Sequence, residues 1–193
     1  MQYKLSQIAN INFGPYLKTD IKGDVKYLLS SHFDKINQPT LFKGSYILLD
    51  NLEEKYLLKE NDLILTGKGN RTFAWAYKPE NGLMIASSLF YVINVNPKIL
   101  LNEYLAYFLN SSKIHNKLII LGSGATIRSL PKNELYNLKI DIPSLEEQKK
   151  IIQIANTMKK DIELSNKILN KKIKLHKKII STLTSQQPEA NSQ

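Results

Sequence analysis

The chain has no cysteine and only three histidines, His32, His115 and His176, far apart in the sequence. Disulfides and thiolate metal sites are thereby excluded, and no H-E-x-x-H pair exists to hold zinc. No apolar run reaches the length of a bilayer-spanning helix. The N-terminus carries no signal-peptide pattern. The expectation is a cytoplasmic protein that does not engage a membrane. Acidic residues are also few: 27 Lys and Arg face 17 Asp and Glu, for a net charge of +10. The basic excess falls on both sides of Pro143. Such a balance favours a polyanionic partner, most often nucleic acid, although a solvated lysine-rich surface has the same composition.

The loops of common catalysts are missing too. There is no G-x-x-x-x-G-K-[ST] phosphate loop. Gly67-Lys68-Gly69 follows a strand-like run, but what comes next alternates like another strand, so no dinucleotide fingerprint forms. Asn96-Pro97-Lys98 lacks the second proline and the aromatic residue of an amino-methyltransferase motif. Two stretches imitate the Asp…Glu-x-Lys of Mg²⁺-dependent nucleases: Asp141 with Glu147-Gln148-Lys149, and Asp50 with Glu53-Glu54-Lys55. There two carboxylates would hold the metal and the lysine would assist the attacking water. Patterns this short arise by chance, and Glu147 has a competing use in a helix cap. The chain is expected to be no enzyme, with no metal and no cofactor of its own.

What the chain does have is one dominant stretch, Pro143 to Thr184, without glycine and with proline only at its first residue. Ser144 and Glu147 form a capping box, S-L-E-E. Apolar residues then recur at helical spacing, and at 1.5 Å per residue the helix is about 60 Å long. In one heptad phase Ala155, Ile162, Leu169, His176 and Leu183 lie seven apart, interleaved with Ile152, Lys159, Asn166, Ile173 and Ile180. A seam Asn is a known register device. Ile151, Ile154, Met158, Ile168, Leu175 and Ile179 widen the stripe. The stripe suits pairing with another copy, through Ile152, Ala155, Ile162, Asn166, Leu169, Ile173 and Ile180. A helix folded back on its own domain is the plainer alternative.

Ahead of it the pattern is mostly β. A short helix and strand open the chain over residues 4–11. Strands follow around Val25–Leu29, in the run Phe42–Asn51, and at Asp62–Thr66, Phe73–Tyr77, Leu83–Ala86 and Ser88–Val95. Leu101–Ile120 reads as one helix, a short helix opens near Pro131, and an exit strand covers Leu138–Ile142. The fold class is α+β, a β-rich domain over 1–143, then the long coiled-coil-type helix over 144–184 and a polar, disordered tail over 185–193.

The loops of the first domain suit binding. Lys18, Thr19 and Lys22 share a Gly-bounded loop. Thr66, Lys68, Asn70 and Arg71 crowd another, and Thr126, Arg128 and Ser129 follow a Gly-Ser-Gly turn. Both arginines of the chain lie in these loops. His32 and Lys35 are further candidates. Arg and Lys can bond guanine, Asn can pair with adenine, and Ser or Thr can serve phosphate or base.

Three stretches together resemble the specificity subunit of type I restriction–modification systems. YKLSQIANINFG is similar to the start of its target recognition domain. KENDLILTGKGN resembles its lysine-glycine-aspartate-isoleucine-leucine segment, with Asn61 where glycine is usual. GSGATIRSLPKNELYNLKIDIPSLEEQKKI has its Gly-rich turn, short helix, Ile-Pro exit and L-x-E-Q-x-x-I entry to a long helix. The resemblance covers residues 1–183. It implies a non-catalytic protein that reads one half of a bipartite site in double-stranded DNA. Its paired antiparallel helices space two reading heads. Methyltransferase subunits dock there, bring S-adenosylmethionine and flip the target adenine, and a restriction/translocase subunit can join. The family usually has two recognition domains and two spacer helices, whereas one of each is found here. The chain is then either a half-sized subunit that forms a homodimer or a fragment. The rival reading is a coiled-coil adaptor without specific DNA binding.

Overall fold

The computed structural model describes residues 2–40, 42, 44–48, 54–122 and 128–185. They form two compact units, Met1–Ile152 and Gln153–Gln193.

The first unit is built on a four-stranded antiparallel sheet. Its strands are β2 (Ala9–Phe13), β8 (Phe90–Val95), β5 (Asp62–Thr66) and β6 (Ala74–Ala76), in that order. Side chains alternate across a strand, and in β5 both faces are buried, whereas β2 exposes Asn10, Asn12 and Phe13. Leu63 and Leu65 of β5 join Tyr91, Ile93 and Val95 of β8 on one face. Helices cover that face: α1 (Leu5–Ile8), α2 (Asn102–Asn110), α3 (Ser112–Leu121) and α4 (Lys132–Tyr136) contribute Leu5, Leu105, Leu118 and Leu135 to the same core. On the other face Ile64, Phe73, Trp75 and Phe90 pack against Leu28, Met84 and Ala86. Those three belong to a second sheet, ordered β4 (Tyr46–Ile47), β3 (Val25–Leu28), β7 (Met84–Ala86), in which β3 and β7 run parallel. Val25, Tyr27, Ile47 and Ile85 form a third small core. The alternation of Phe73, Trp75 and Tyr77 with small residues is thus one of size, since Ala74 is buried as well.

Two elements escaped sequence reading. β1 (Gln2–Lys4) pairs antiparallel with the exit strand β9 (Lys139–Asp141), joining the two ends of the domain. The single helix expected over Leu101–Ile120 is two helices, broken at Ser111, whose backbone is extended (φ −62°, ψ 141°). Ser111 Oγ donates to Phe108 O at 2.7 Å, the local side-chain bond by which serine competes with a helix. Asn110, next to it, turns its amide onto the outer strand of the sheet: its Oδ1 accepts from Ala74 N and its Nδ2 donates to Ala74 O. At the other end of α2 the Asn102 amide donates to Tyr77 O and Asp62 O. The free edge of β6 is covered in this way.

Helix α5 runs Leu145–Ser185. Its capping box forms as the sequence indicates: Glu147 N donates to Ser144 Oγ at 3.3 Å and Ser144 N donates to Glu147 Oε2 at 2.9 Å. Hydrogen bonds from Ser144 hold the Glu147 carboxyl below its usual pKa. The first turns of α5 belong to the first unit. Gln148 is fully buried, its Nε2 donating to Ile99 O and Pro143 O and its Oε1 accepting from Leu101 N. Ile152 is buried in the helix-side core.

Candidate nucleic-acid interface

The register of the large sheet decides which loops meet. Phe13 pairs with Tyr91 and Thr66 with Phe90, while Leu65 pairs with Ala74. So the chain leaving β2, the chain between β5 and β6, and the turn entering β8 all emerge at one end. Backbone bonds then knit them together. Gly14 N donates to Phe90 O, and Gly67 N and Lys68 N donate to Leu89 O. The segment before α4 joins the group: Gly69 N donates to Arg128 O, Leu130 N donates to Gly67 O, and Lys68 bridges Ser129.

Tyr91 sits beneath this junction. Its hydroxyl donates to Leu130 O at 2.6 Å, and burial, with a smaller contribution from Tyr136, pushes its pKa up to about 12. It therefore stays protonated and keeps donating. Its ring stacks on Phe13 at 4.2 Å and leaves no room for a side chain at position 67, where a Cβ would come within 2.8 Å. Nothing in the alternation of its strand marks Tyr91 as more than core.

Several of the expected binding residues are exposed, with Lys68, Asn70, Arg128 and Ser129 in the segments that meet at the junction. Lys18, Lys22, Lys35, Lys68, Asn70, Arg128 and Ser129 are exposed and Thr19 is half-buried. The Lys68 ammonium lies 5.5 Å from the Phe13 ring centre. Nearby acids are tied into turns: Asp20 Oδ1 accepts from Ile21 N, and Asp34 Oδ1 accepts from Ile36 N and Gln38 N. Asp24, on the loop that carries Lys18 and Lys22, is exposed, so lysines and a carboxylate share that loop. Thr126, Asp50 and Glu53 lie outside the described residues, as does the tail beyond Ser185.

Other candidates shape the rim instead of facing outward. Thr66 is buried, its Oγ1 donating to Phe73 O. His32 is 6% exposed, with Nδ1 accepting from Leu29 N and its ring against Phe42; burial lowers its pKa. Arg71 is a brace: its guanidinium donates to Phe33 O (2.7 Å), Asp34 O (2.6 Å) and Asn37 Oδ1 (3.0 Å), and lies over the Phe73 ring. That brace brings the Lys35 turn beside the Gly67–Arg71 loop. Among the residues assigned to helix pairing, Ile152 requires correction, since it fills its own domain's core. In the second unit Ile162, Leu169, Ile173 and Ile180 are exposed, as is Asn166, and Ala155 is half-buried.

Among the described residues no group of three His, Asp or Glu side chains is placed to hold a metal ion. No helix there is long and apolar enough to cross a membrane. The described residues thus comprise a β-rich domain whose loops expose several lysines and Arg128, followed by a long helix. The family model of the type I restriction modification DNA specificity domain matches residues 1–175, and the chain belongs to that family. Specificity subunits are the non-catalytic members of their systems. A type I restriction enzyme specificity subunit of Haemophilus influenzae is 24% identical over 139 residues, which is 72% of this chain and 34% of that protein. The crystal structure of the type I restriction–modification S subunit from M. genitalium aligns with a TM-score of 0.64 and 15% identity, covering 97% of this chain and 46% of that one. The HsdS subunit from Thermoanaerobacter tengcongensis aligns at 0.60 and 19%, covering all of this chain and 50% of that one. The architecture is therefore that of S subunits, and the chain spans half or less of the length of the proteins it matches.

Proposed function

We propose that this chain reads one half of a bipartite target in double-stranded DNA and carries out no chemistry itself. The observation that carries the reading is the match of the DNA specificity domain family over residues 1–175. The exposed Lys18, Lys22, Lys35, Lys68 and Arg128 supply phosphate and base contacts, and Asn70 a candidate adenine contact. Arg71, Thr66 and His32 hold the loops that present them. The domain over 1–143 is the reading head and the helix over 144–184 the spacer.

The second reading head is another copy of the chain, related by a two-fold axis and paired antiparallel through the exposed stripe of α5. Ile162, Leu169, Ile173 and Ile180 form its seam, with Asn166 fixing register. Methyltransferase subunits dock on this helical region and bring S-adenosylmethionine to the target adenine, and a restriction/translocase subunit joins the same assembly. The work takes place in the cytoplasm.

The test is the solution mass of the purified chain by light scattering, alone and after selection from a random duplex library. A dimer that enriches an inverted repeat with a fixed gap is expected. A monomer that enriches nothing overturns the homodimer. Binding that salt erases, with no sequence-dependent remainder, favours the adaptor.

A further inference from the structure

The loop leaving β2 holds one aromatic side chain in an unusual position. Tyr16 is 88% exposed, yet the backbone on either side of it is fixed. The buried hydroxyl of Tyr27 donates to Pro15 O at 2.7 Å and accepts from Leu17 N at 3.2 Å. Gly14 N donates to Phe90 O, and Gly14 lies so close to the β7 end that a Cβ there would come within 2.1 Å of Ala86 O. Leu17 packs against the third core. Pro15 removes a further backbone freedom. Gly14, Pro15 and Leu17 are each anchored, and the Tyr16 ring between them is exposed. A mobile loop would lay such a ring on the nearest apolar surface; here the backbone holds it in water. An ordered, exposed aromatic gives contact area at little entropic cost on binding.

The surroundings select the partner. Lys18 and Lys22 are exposed on the same loop, and Lys68 stands across the 87–89 turn, bonded to Leu89 O through its backbone. An exposed aromatic ring two residues from an exposed lysine suits a groove of duplex DNA, with phosphates flanking an apolar base surface. We infer that Tyr16 is a base-contacting, specificity-determining residue: its ring enters a groove and packs on base edges while Lys18 and Lys22 meet the flanking phosphates. This rests on the DNA-reading role proposed above. Tyr27 is the positioning residue that aims it.

The experiment uses the full chain as wild type, Tyr16→Ala, Tyr16→Phe and Tyr27→Phe, each selected against a random duplex library and titrated against salt. Tyr16→Ala is expected to bind the wild-type site about 10-fold or more weakly. Its preference flattens at one or two adjacent base pairs, while its salt slope and its binding to unrelated duplex stay as in wild type. Tyr16→Phe keeps the preference, because the ring makes the contact. Tyr27→Phe weakens the preferred site alone, and adding it to Tyr16→Ala costs nothing further, which a merely destabilising change would not produce. Unchanged preferences in Tyr16→Ala overturn the assignment. So does a uniform loss on all sequences with a smaller salt slope, which marks a phosphate contact, and so does a Tyr16→Phe that behaves like Tyr16→Ala. A wild type that enriches no sequence overturns the underlying DNA-reading role itself, and this assignment with it.

Discussion

Gln148 joins the start of α5 to the domain, and replacing it with leucine isolates that joint. The side chain is 0% exposed and has one acceptor and two donor bonds, to Leu101 N, Ile99 O and Pro143 O, between 2.9 and 3.0 Å. Leucine has a similar volume and none of the polar atoms, so Leu101 N–H is stranded at the start of α2. A stranded buried donor costs about 1–3 kcal/mol, and each further lost bond about 0.5–1.5 kcal/mol. Added apolar burial offsets part of this, for a net loss of about 2–4 kcal/mol. Against a total of about 5–15 kcal/mol that is a large fraction. With a slope of about 2 kcal/mol per M, the urea midpoint falls by about 1–2 M. Urea unfolding followed by circular dichroism reads this directly. A midpoint within about 0.3 M of wild type at unchanged slope refutes the reasoning, since the bonds would then carry no net stability. Gln148→Glu adds a second reading. It buries a carboxyl against two carbonyl oxygens, which raises its pKa above the unfolded value of about 4.3. A raised group contributes stability below the unfolded pKa and loses it as pH rises through the folded one. The deficit relative to wild type is therefore small near pH 4 and large at pH 7.

Two further outcomes follow from the backbone and from burial. Asn61 has φ +71°, in the left-handed region, so Asn61→Val should lose about 1–2 kcal/mol in thermal or urea unfolding while Asn61→Gly stays at or above wild type. His32 is held below its ordinary pKa by burial, so its contribution to stability is present above about pH 6.5 and is lost as pH falls through the folded value. Comparing urea midpoints of wild type and His32→Gln between pH 8 and pH 5 should show the wild type losing more of its margin on acidification.

The helix cap at Ser144, the buried run Asp62–Thr66 and the Pro131 start of α4 were legible because each rests on residues a few positions apart. Asn61 replacing a usual glycine also made sense locally, since asparagine is the side chain best suited to positive φ after glycine. The β1–β9 pair was not legible, for it joins Gln2 to Asp141 and neither strand is long enough to show a period. Nor was the break at Ser111, because Leu101–Ile120 keeps its apolar spacing through it; the bonds that accompany it are Ser111 Oγ to Phe108 O and the Asn110 amide to Ala74, the latter far off in sequence. In the site, type and loop position found the exposed cations. They could not separate Arg128, which faces outward, from Arg71, whose donors are used by Phe33, Asp34 and Asn37. Tyr16 and Tyr91 carried no signal at all, since a tyrosine in a loop and a tyrosine in a strand are both ordinary.

The centre of the large sheet is buried on both faces, and its loops are tied to one another mainly through main-chain atoms and a few buried side chains. The division of labour has an evolutionary consequence. Changes at Gly14, Gly67 or Tyr91 strike the frame and are filtered out by misfolding. Changes at Tyr16, Lys18, Lys22, Lys35, Asn70 or Arg128 touch exposed side chains, where substitutions usually stay within about 0.5 kcal/mol. Under the proposed DNA-reading role, a lineage can therefore walk from one binding preference to another in single steps, each through a protein that still folds.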